Sequence, residues 1–206
     1  MALRSSFLRR VAYRVSVGIV LFGIATSAFG YYRWEQRNFD VVAADQVYRA
    51  RQLSSDELST VVARYGIKSI LNLRGKNPGE TWYRAESAVA DLLGVQLVSF
   101  PLSANLEWDS EQISDVVRVL REAPKPLLIH CKSGSDRTGL AAALYLLEVE
   151  GQSASVASHQ LSLYYGHIPA LLGTSTSAMD RTFWRVTERR DSSTARSSHI
   201  PPSPSF

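Results

Sequence analysis

Short apolar runs alternate with longer amphipathic segments along this chain, and the alternation predicts strands followed by helices. Residues 67–73, 95–100 and 126–129 are apolar runs with the length of buried strands. Between and after these runs, apolar residues recur at the three- and four-residue spacing of a helix face. The predicted helices cover residues 54–65, 81–93, 110–121, 138–150, 153–165 and 177–189.

Residues that begin and end helices support these boundaries. Ser54 with Glu57, and Asp109 with Gln112, have the spacing of a capping box. Two glycines end predicted helices, Gly66 and Gly94. Strands that alternate with helices predict an α/β fold with a mostly parallel central sheet, flanked by helices on both faces, whose ligand binds at the carboxyl ends of the strands.

The N-terminal segment predicts a single transmembrane helix. Residues 1–14 are rich in arginine and contain no acid, and residues 15–32 carry no charge. That uncharged length is near the lower limit for a bilayer, and Tyr31, Tyr32 and Trp34 suit its interface. The arginine excess before the helix predicts a single-pass membrane protein with a cytoplasmic N-terminus and an exported globular domain, periplasmic if the source is bacterial.

Two other interpretations of this segment remain open at the level of sequence. Residues 26–28 are small and follow an apolar stretch, as at the cleavage site of a signal peptide. The segment also has the composition of a buried helix in a soluble domain. We therefore divide the chain into an N-terminal basic segment and membrane anchor (or signal peptide) at 1–40, a globular domain at 41–190 and a disordered Ser- and Pro-rich tail at 191–206.

Charge is distributed unevenly between these parts. The net charge of +4 combines +4 in residues 1–40, +3 in residues 181–206 and −3 in residues 41–180. Because the basic residues are concentrated at the ends, the central domain has no basic face for nucleic acid, and we predict no nucleic-acid partner.

The single cysteine of the chain, Cys131, follows the apolar run 126–129 and precedes a helix. At such a strand-to-helix turn, backbone N–H groups and the helix dipole favour an ionised thiolate. Arg137 lies six residues later and can offer a planar fork to a bound oxyanion. A thiolate beside an anion site indicates phosphate-ester chemistry.

Residues 130–139 have the pattern His130-Cys131-x-x-Gly134-x-x-Arg137-Thr138-Gly139. This pattern resembles the signature loop of the cysteine-dependent protein tyrosine and dual-specificity phosphatases. Residues 47–52 and 69–74 also resemble the opening strands of the compact atypical dual-specificity type, so the resemblance covers roughly residues 41–190. It implies a phosphatase-like fold. It also implies that Cys131 attacks phosphorus to form a phosphocysteine, without a metal or other cofactor. The residues it assigns to phosphate binding or turnover are Lys132, Ser133, Gly134, Ser135, Arg137 and Thr138, and His130 would orient the loop.

The chain departs from the family pattern at the general acid. The family's acid is an Asp on a loop before the cysteine, where this chain has Ser103. We predict Asp136 as the acid, because a Gly-x-Asp-Arg-Thr ending resembles phosphatases with an acid inside the loop. The alternatives are Asp109, which also fits a helix N-cap, and no side-chain acid at all.

The predicted function is phosphomonoester hydrolysis through a phosphocysteine. The substrates would be phosphotyrosine or phosphoserine in proteins, or phosphorylated lipids and inositol phosphates, for which Lys132 adds positive charge. Alternatives are a pseudophosphatase that binds phosphorylated ligands without turnover and, less favoured, a sulfur-transfer enzyme. We expect Arg74 to form a strand-end salt bridge, and we expect His159 and His167 to be surface or packing residues.

Overall fold

The computed structural model describes the backbone of residues 2–168 and 175–197. Five strands form one sheet in the order β1-β2-β5-β3-β4, in which only the β1–β2 pair is antiparallel. This confirms the predicted α/β class and the mostly parallel sheet. The strands are β1 (Asp40–Ala43), β2 (Val47–Ala50), β3 (Ser69–Asn72), β4 (Gln96–Ser99) and β5 (Leu127–His130). The helices are α1 (Ala2–Glu35), α2 (Ser55–Tyr65), α3 (Thr81–Leu93), α4 (Ser110–Glu122), α5 (Asp136–Leu144), α6 (Ala154–Ser158) and α7 (Ser177–Ser197).

Both faces of the sheet are covered, because successive strand residues point to opposite sides. Leu127 and Ile129 of the central strand β5 belong to the core formed with α4, α5, α6 and α7, whereas Leu128 belongs to the core formed with α2 and α3. All four residues of β5 are buried. A strand buried on both faces has the continuous apolar sequence that led to its prediction.

The capping residues predicted for α2, α3 and α4 are confirmed. Ser54 and Asp109 each accept a hydrogen bond from the backbone of the third helical residue, and the side chains of Glu57 and Gln112 complete the two capping boxes. Gly66 ends α2 in the left-handed conformation, with φ 63°, and Gly94 ends α3 in the same way.

The region of residues 153–165 differs from the predicted long helix. It contains the short α6 and a separate 3-10 turn at Leu163–Tyr165. The helix stops because Gln160 turns inward, where its backbone and side-chain oxygens accept hydrogen bonds from the buried Arg49. A tertiary contact therefore overrides the local helical pattern.

The remaining helices are longer or less regular than predicted. The helix that follows the cysteine loop changes from α5 into a π-helical turn at Tyr145–Val149. The last helix, α7, continues to Ser197, so the first seven residues of the segment expected to be disordered are helical. Arginine side chains connect α7 to the rest of the domain. Arg185 and Arg181 form ion pairs with Glu107, and Arg189 donates a hydrogen bond to Ser110. Residues 198–206 lie outside the described residues.

The chain divides into two compact units, Met1–Gln36 and Arg37–Phe206. The first unit is α1, in which Arg9–Arg33 is long and apolar enough to cross a membrane, with a mean hydropathy of 1.6. Two hydroxyls in this stretch bond to the backbone one turn earlier, Ser16 to the Ala12 carbonyl and Thr26 to the Phe22 carbonyl. These bonds satisfy polar groups that would be costly in hydrocarbon.

Candidate active site

The loop that carries Cys131 lies at the centre of the sheet edge formed by the carboxyl ends of the parallel strands. It follows β5, which pairs with β2 on one side and β3 on the other. The chain segments that leave β2 and β3 therefore flank the loop, and α5 begins at its far end with Asp136. The structure brings the loop residues 130–138 together at the predicted edge of the sheet.

Groups outside the loop hold four of its carbonyl oxygens. The donors come from neighbouring segments and not from the loop itself. They are Leu73 N to His130 O (3.0 Å), Gln52 N to Lys132 O (3.2 Å), Asn38 Nδ2 to Ser133 O (3.1 Å) and Arg49 Nη2 to Gly134 O (2.7 Å). These four hydrogen bonds therefore fix the loop conformation from its outer side.

The backbone N–H groups of the loop are correspondingly unpaired. Ser135 N has a long contact of 3.4 Å with Ser133 Oγ. The other N–H groups of residues 132–137 have no acceptor among the residues that the structure describes. Because the N–H and C=O of a peptide unit point in opposite directions, outward carbonyls turn the amides inward. Consecutive inward amides at a helix N-terminus form an anion-binding nest.

Gly134 is required by the close approach of the loop to β2. Its φ is 75°, which side-chain-bearing residues rarely adopt. A Cβ at this position would lie 2.7 Å from the Ala50 carbonyl carbon and oxygen and from Arg51 N. Both the backbone conformation and the available space therefore select glycine.

Cys131 and Arg137 lie at the two ends of the nest. The Cys131 side chain is buried at the base of the loop, and the residue is 2% exposed. Arg137 Nη1 donates to the carbonyls of Leu73 and Leu102, at 3.0 and 3.1 Å. Its Nε is buried and has no hydrogen-bond partner in the described part of the chain. The guanidinium is thus fixed on one side and keeps an N–H for a ligand.

Arg74 is arranged differently from the expected salt bridge. Its guanidinium stacks 3.4 Å above the Trp82 ring and donates to Gln52 Oε1 at 3.0 Å. No carboxylate within the described ranges forms an ion pair with it. Burial lowers the pKa of Arg74, and the positive charge of nearby Arg137 lowers it further, against the opposing effect of Cys131. Arg74 therefore adds a second guanidinium beside the loop.

A buried carboxylate behind the loop was missed by the sequence analysis. Glu86 on α3 lies 2.7 Å from His130 Nε2, and its side chain also accepts from Asn72 and Gln52. Burial by itself would raise the pKa of Glu86, but His130 and these hydrogen bonds outweigh it and lower the pKa. The signal in the sequence was an acid on the apolar face of α3, one turn before Val89 and Ala90.

The two candidate acids differ in their surroundings. Asp109 caps α4, and its Oδ1 accepts from Gln112 N at 2.8 Å. Asp136 lies on the loop, and its Oδ1 is 2.8 Å from His167 Nδ1. The expectation that His167 is an ordinary surface or packing residue is wrong, because this buried side chain also contacts Asp180. His159 is exposed, as expected.

The other predicted site residues occupy distinct positions around the loop. Lys132 and Ser133 are exposed, whereas Ser135 is buried. Thr138 is fully buried in the first turn of α5, and its hydroxyl has no hydrogen-bond partner among the described residues. The Thr138 hydroxyl is therefore available as a donor.

The fold has counterparts among solved structures. The crystal structure of Pseudomonas aeruginosa TpbA superposes with a TM-score of 0.56 at 24% identity, over 71% of this chain and 85% of TpbA. A TpbA complex with phosphotyrosine has a TM-score of 0.52 at 24% identity, over 64% and 76%. The catalytic core of the PP-IP phosphatase SIW14 from S. cerevisiae, in complex with citrate, has a TM-score of 0.55 at 20% identity, over 75% and 93%. These similarities show the fold.

The sequence comparisons identify the family. The dual specificity protein phosphatase TpbA of Pseudomonas aeruginosa strain UCBPP-PA14 is 41% identical over 69 residues, or 32% of this chain. The match spans 31% of the length of that curated relative. The model of the tyrosine phosphatase family matches residues 29–162, which is more than half of the chain. The chain therefore belongs to the tyrosine phosphatase family.

Proposed function

We propose that this protein is a phosphomonoester hydrolase in which Cys131 is the nucleophile. One observation carries the proposal: four loop carbonyls are tied outward, while the amides of residues 132–137, apart from Ser135 N, have no acceptor among the described residues. Such a nest, with the unpartnered Nε of Arg137, matches the charge of a phosphoryl group and of its transition state. The amides of Lys132, Ser133, Gly134 and Ser135 would hold the phosphoryl oxygens.

The reaction proceeds in two displacements. In the first, the Cys131 thiolate attacks phosphorus, the P–S bond forms, and the P–O ester bond breaks as the leaving oxygen takes a proton from Asp136. In the second, water attacks phosphorus and the P–S bond breaks, with its electron pair returning to sulfur. The Asp136 carboxylate takes the proton of the water, and the Thr138 hydroxyl donates to the departing thiolate. Covalent catalysis divides one slow hydrolysis into two faster steps.

Asp136 suits the role of acid better than Asp109 does. The Asp109 carboxylate caps a helix and is exposed, whereas Asp136 is the first residue of α5 and precedes Arg137 in the loop. In pH–rate profiles with p-nitrophenyl phosphate and with an alkyl phosphate, we expect Asp136→Asn to lose the basic limb. The alkyl phosphate should be affected more, because its poorer leaving group needs the proton. Loss of that limb in Asp109→Asn alone would contradict the assignment.

The substrates we propose are phosphotyrosine and phosphoserine in proteins or phosphorylated lipids and inositol phosphates. The relative TpbA has been crystallised with phosphotyrosine, and SIW14 is described as a PP-IP phosphatase. Arg74 and the exposed Lys132 give the rim positive charge for such ligands. A screen against phosphopeptides, inositol phosphates and phospholipid vesicles separates these classes.

The function is tested by the turnover of p-nitrophenyl phosphate in the full-length protein and in Cys131→Ser. We expect the wild type to hydrolyse it and Cys131→Ser to lose turnover while it still binds phosphate. Turnover in Cys131→Ser equal to that of the wild type would refute the nucleophile. A wild type that binds phosphate esters without any turnover would instead support a pseudophosphatase.

We propose that α1 is retained as a single-pass anchor and that the catalytic domain is exported. The support is the apolar stretch of Arg9–Arg33, with its arginine-rich flank on the N-terminal side. The anchor would concentrate the site near membrane-bound substrates. N-terminal sequencing of the membrane-extracted protein should find residues 1–40 intact, and alkaline phosphatase fused after Phe206 should be active. A new N-terminus near residue 29 would indicate a cleaved signal peptide.

A further inference from the structure

His167 connects the signature loop to the last helix through two carboxylates. Its imidazole is fully buried. Nδ1 lies 2.8 Å from Oδ1 of Asp136, the first residue of α5, and Nε2 lies 3.0 Å from Oδ2 of Asp180 on α7. Both ring nitrogens therefore face carboxylate oxygens at hydrogen-bonding distance.

This arrangement constrains the protons of the three groups. A neutral imidazole has one N–H, so one of its nitrogens would face a carboxylate lone pair with a lone pair of its own. An imidazolium donates from both nitrogens and removes that conflict. Burial alone would lower the pKa of His167, but the hydrogen bonds and charges of Asp136 and Asp180 outweigh it and raise the pKa. No other charged group in the described part of the chain contributes to this shift.

The backbone around His167 is fixed by the same residues that shape the loop. His167 N donates to the Ser162 carbonyl at 3.1 Å. Asn38 Nδ2 donates both to the Tyr165 carbonyl, at 2.9 Å, and to the Ser133 carbonyl of the loop, at 3.1 Å. The imidazole is therefore held at a set position relative to the anion nest and does not need to move to meet Asp136.

We propose that His167 is a positioning residue for the phosphatase reaction, which holds the Asp136 carboxyl at the loop through Oδ1 and is itself held by Asp180 through Nε2. The inference rests on the proposed function. Its main effect falls on the second displacement, in which water forms a bond to phosphorus, the P–S bond breaks toward sulfur, and the free oxygen of Asp136 takes the proton of the water. An ionised and oriented Asp136 is required for that proton transfer.

The first test follows the imidazole itself and does not depend on turnover. NMR titration of the full-length protein in detergent micelles, with the signals assigned from His167→Gln, compares His167 in the wild type and in Asp180→Asn. We expect the pKa of His167 to lie above the ordinary histidine value of about 6.5 in the wild type, and to be lower in Asp180→Asn. A wild-type His167 that titrates at or below that ordinary value, or no change in Asp180→Asn, would overturn the inference.

The second test measures the slow step. In His167→Gln and Asp180→Asn we expect kcat to fall about 10-fold, less than the roughly 10²–10⁴ that a general base supplies. Phosphoenzyme trapped by acid quench should accumulate. His159→Gln is the control and should match the wild type. If His167→Gln does not fold, Asp180→Asn decides alone.

The outcomes separate this inference from the proposed function. A lower kcat without accumulation of phosphoenzyme would mean a structural role only, and would overturn the inference while leaving the function intact. An inactive wild type would contradict the proposed function, but the NMR titration would still report on the position of His167 between its two carboxylates.

Discussion

The guanidinium of Arg49 donates a 2.7 Å hydrogen bond to the carbonyl oxygen of Gly134, a residue 85 positions away in the sequence. Arg49 is fully buried, lies 3.6 Å from the centre of the Tyr165 ring, and also binds Gln160. A buried guanidinium is costly unless its donors are used, and here they are used to hold backbone carbonyls. The conformation of the candidate catalytic loop therefore depends on a side chain from the neighbouring strand β2.

Replacing Arg49 by lysine should weaken the loop although it keeps the charge. Lysine cannot reproduce the planar fork that reaches Gly134 and Gln160 together. We expect kcat/KM to fall at least 10-fold, and the free energy of unfolding to fall by about 2–3 kcal/mol from the lost charge-assisted bonds. Urea denaturation and steady-state kinetics measure both. The control is Arg64→Lys, on the exposed surface of α2. This substitution should change neither kcat/KM nor the free energy of unfolding.

Gly134→Ala should be far more damaging than Gly151→Ala. Both glycines have positive φ, 75° and 69°, so each substitution carries the roughly 1 kcal/mol cost of that backbone conformation. A Cβ at Gly151 has nothing within 4 Å, whereas one at Gly134 meets the backbone of Ala50 and Arg51 at 2.7 Å. We expect Gly151→Ala to keep full activity and Gly134→Ala to lose phosphate binding, measured by calorimetry. Equal phosphate affinity in the two variants would show that the loop does not depend on this close approach.

Glu86→Gln should reduce stability in a pH-dependent way. Because the pKa of Glu86 is lower in the folded than in the unfolded protein, its stabilisation is fully present above the unfolded pKa, about 4.3, and is lost as the pH falls through the folded pKa. Near pH 6 we expect a loss of about 2–4 kcal/mol from disrupting the buried pair with His130. The difference from the wild type should shrink below about pH 4.

The control for this pH dependence is Glu188→Gln, at an exposed position of α7. Its free energy of unfolding should follow that of the wild type across the same pH range. A difference for Glu86→Gln that stays constant down to about pH 3 would mean that the carboxylate charge is not the source of the stabilisation.

Arg74→Gln should raise KM more than it lowers kcat. Arg74 contributes positive charge beside the nest without lying in the loop, so it should act equally on bound substrate and transition state. We expect a rise in KM of about 3-fold to 10-fold that diminishes at high salt, where charge interactions are screened. Lys76→Gln, at an exposed position two residues later, is the matched control. An unchanged KM for phosphate esters at low salt would remove Arg74 from substrate binding.

The parts of this molecule that could be predicted from sequence are those determined locally. The apolar run before Cys131, the capping box of Ser54 and the left-handed Gly66 each depend on a few adjacent residues, and the structure agrees with all three. Arg49, Glu86 and His167 were missed as site residues, since their partners lie far away in sequence and follow only from the order of strands in the sheet. The end of the helix before Gln160 was missed for the same reason, because Arg49, which binds Gln160, lies far away in the sequence.

The central claim is that the sulfur of Cys131 takes the phosphoryl group from the substrate. It is tested most directly by rapid acid quench of the wild-type protein during turnover of a phosphate ester, followed by mass spectrometry of the peptide that contains Cys131. We expect this peptide to carry the mass of one phosphoryl group, which should be absent in Cys131→Ser. Multiple turnovers without any phosphorylated Cys131 peptide, or label on another residue, would contradict the account.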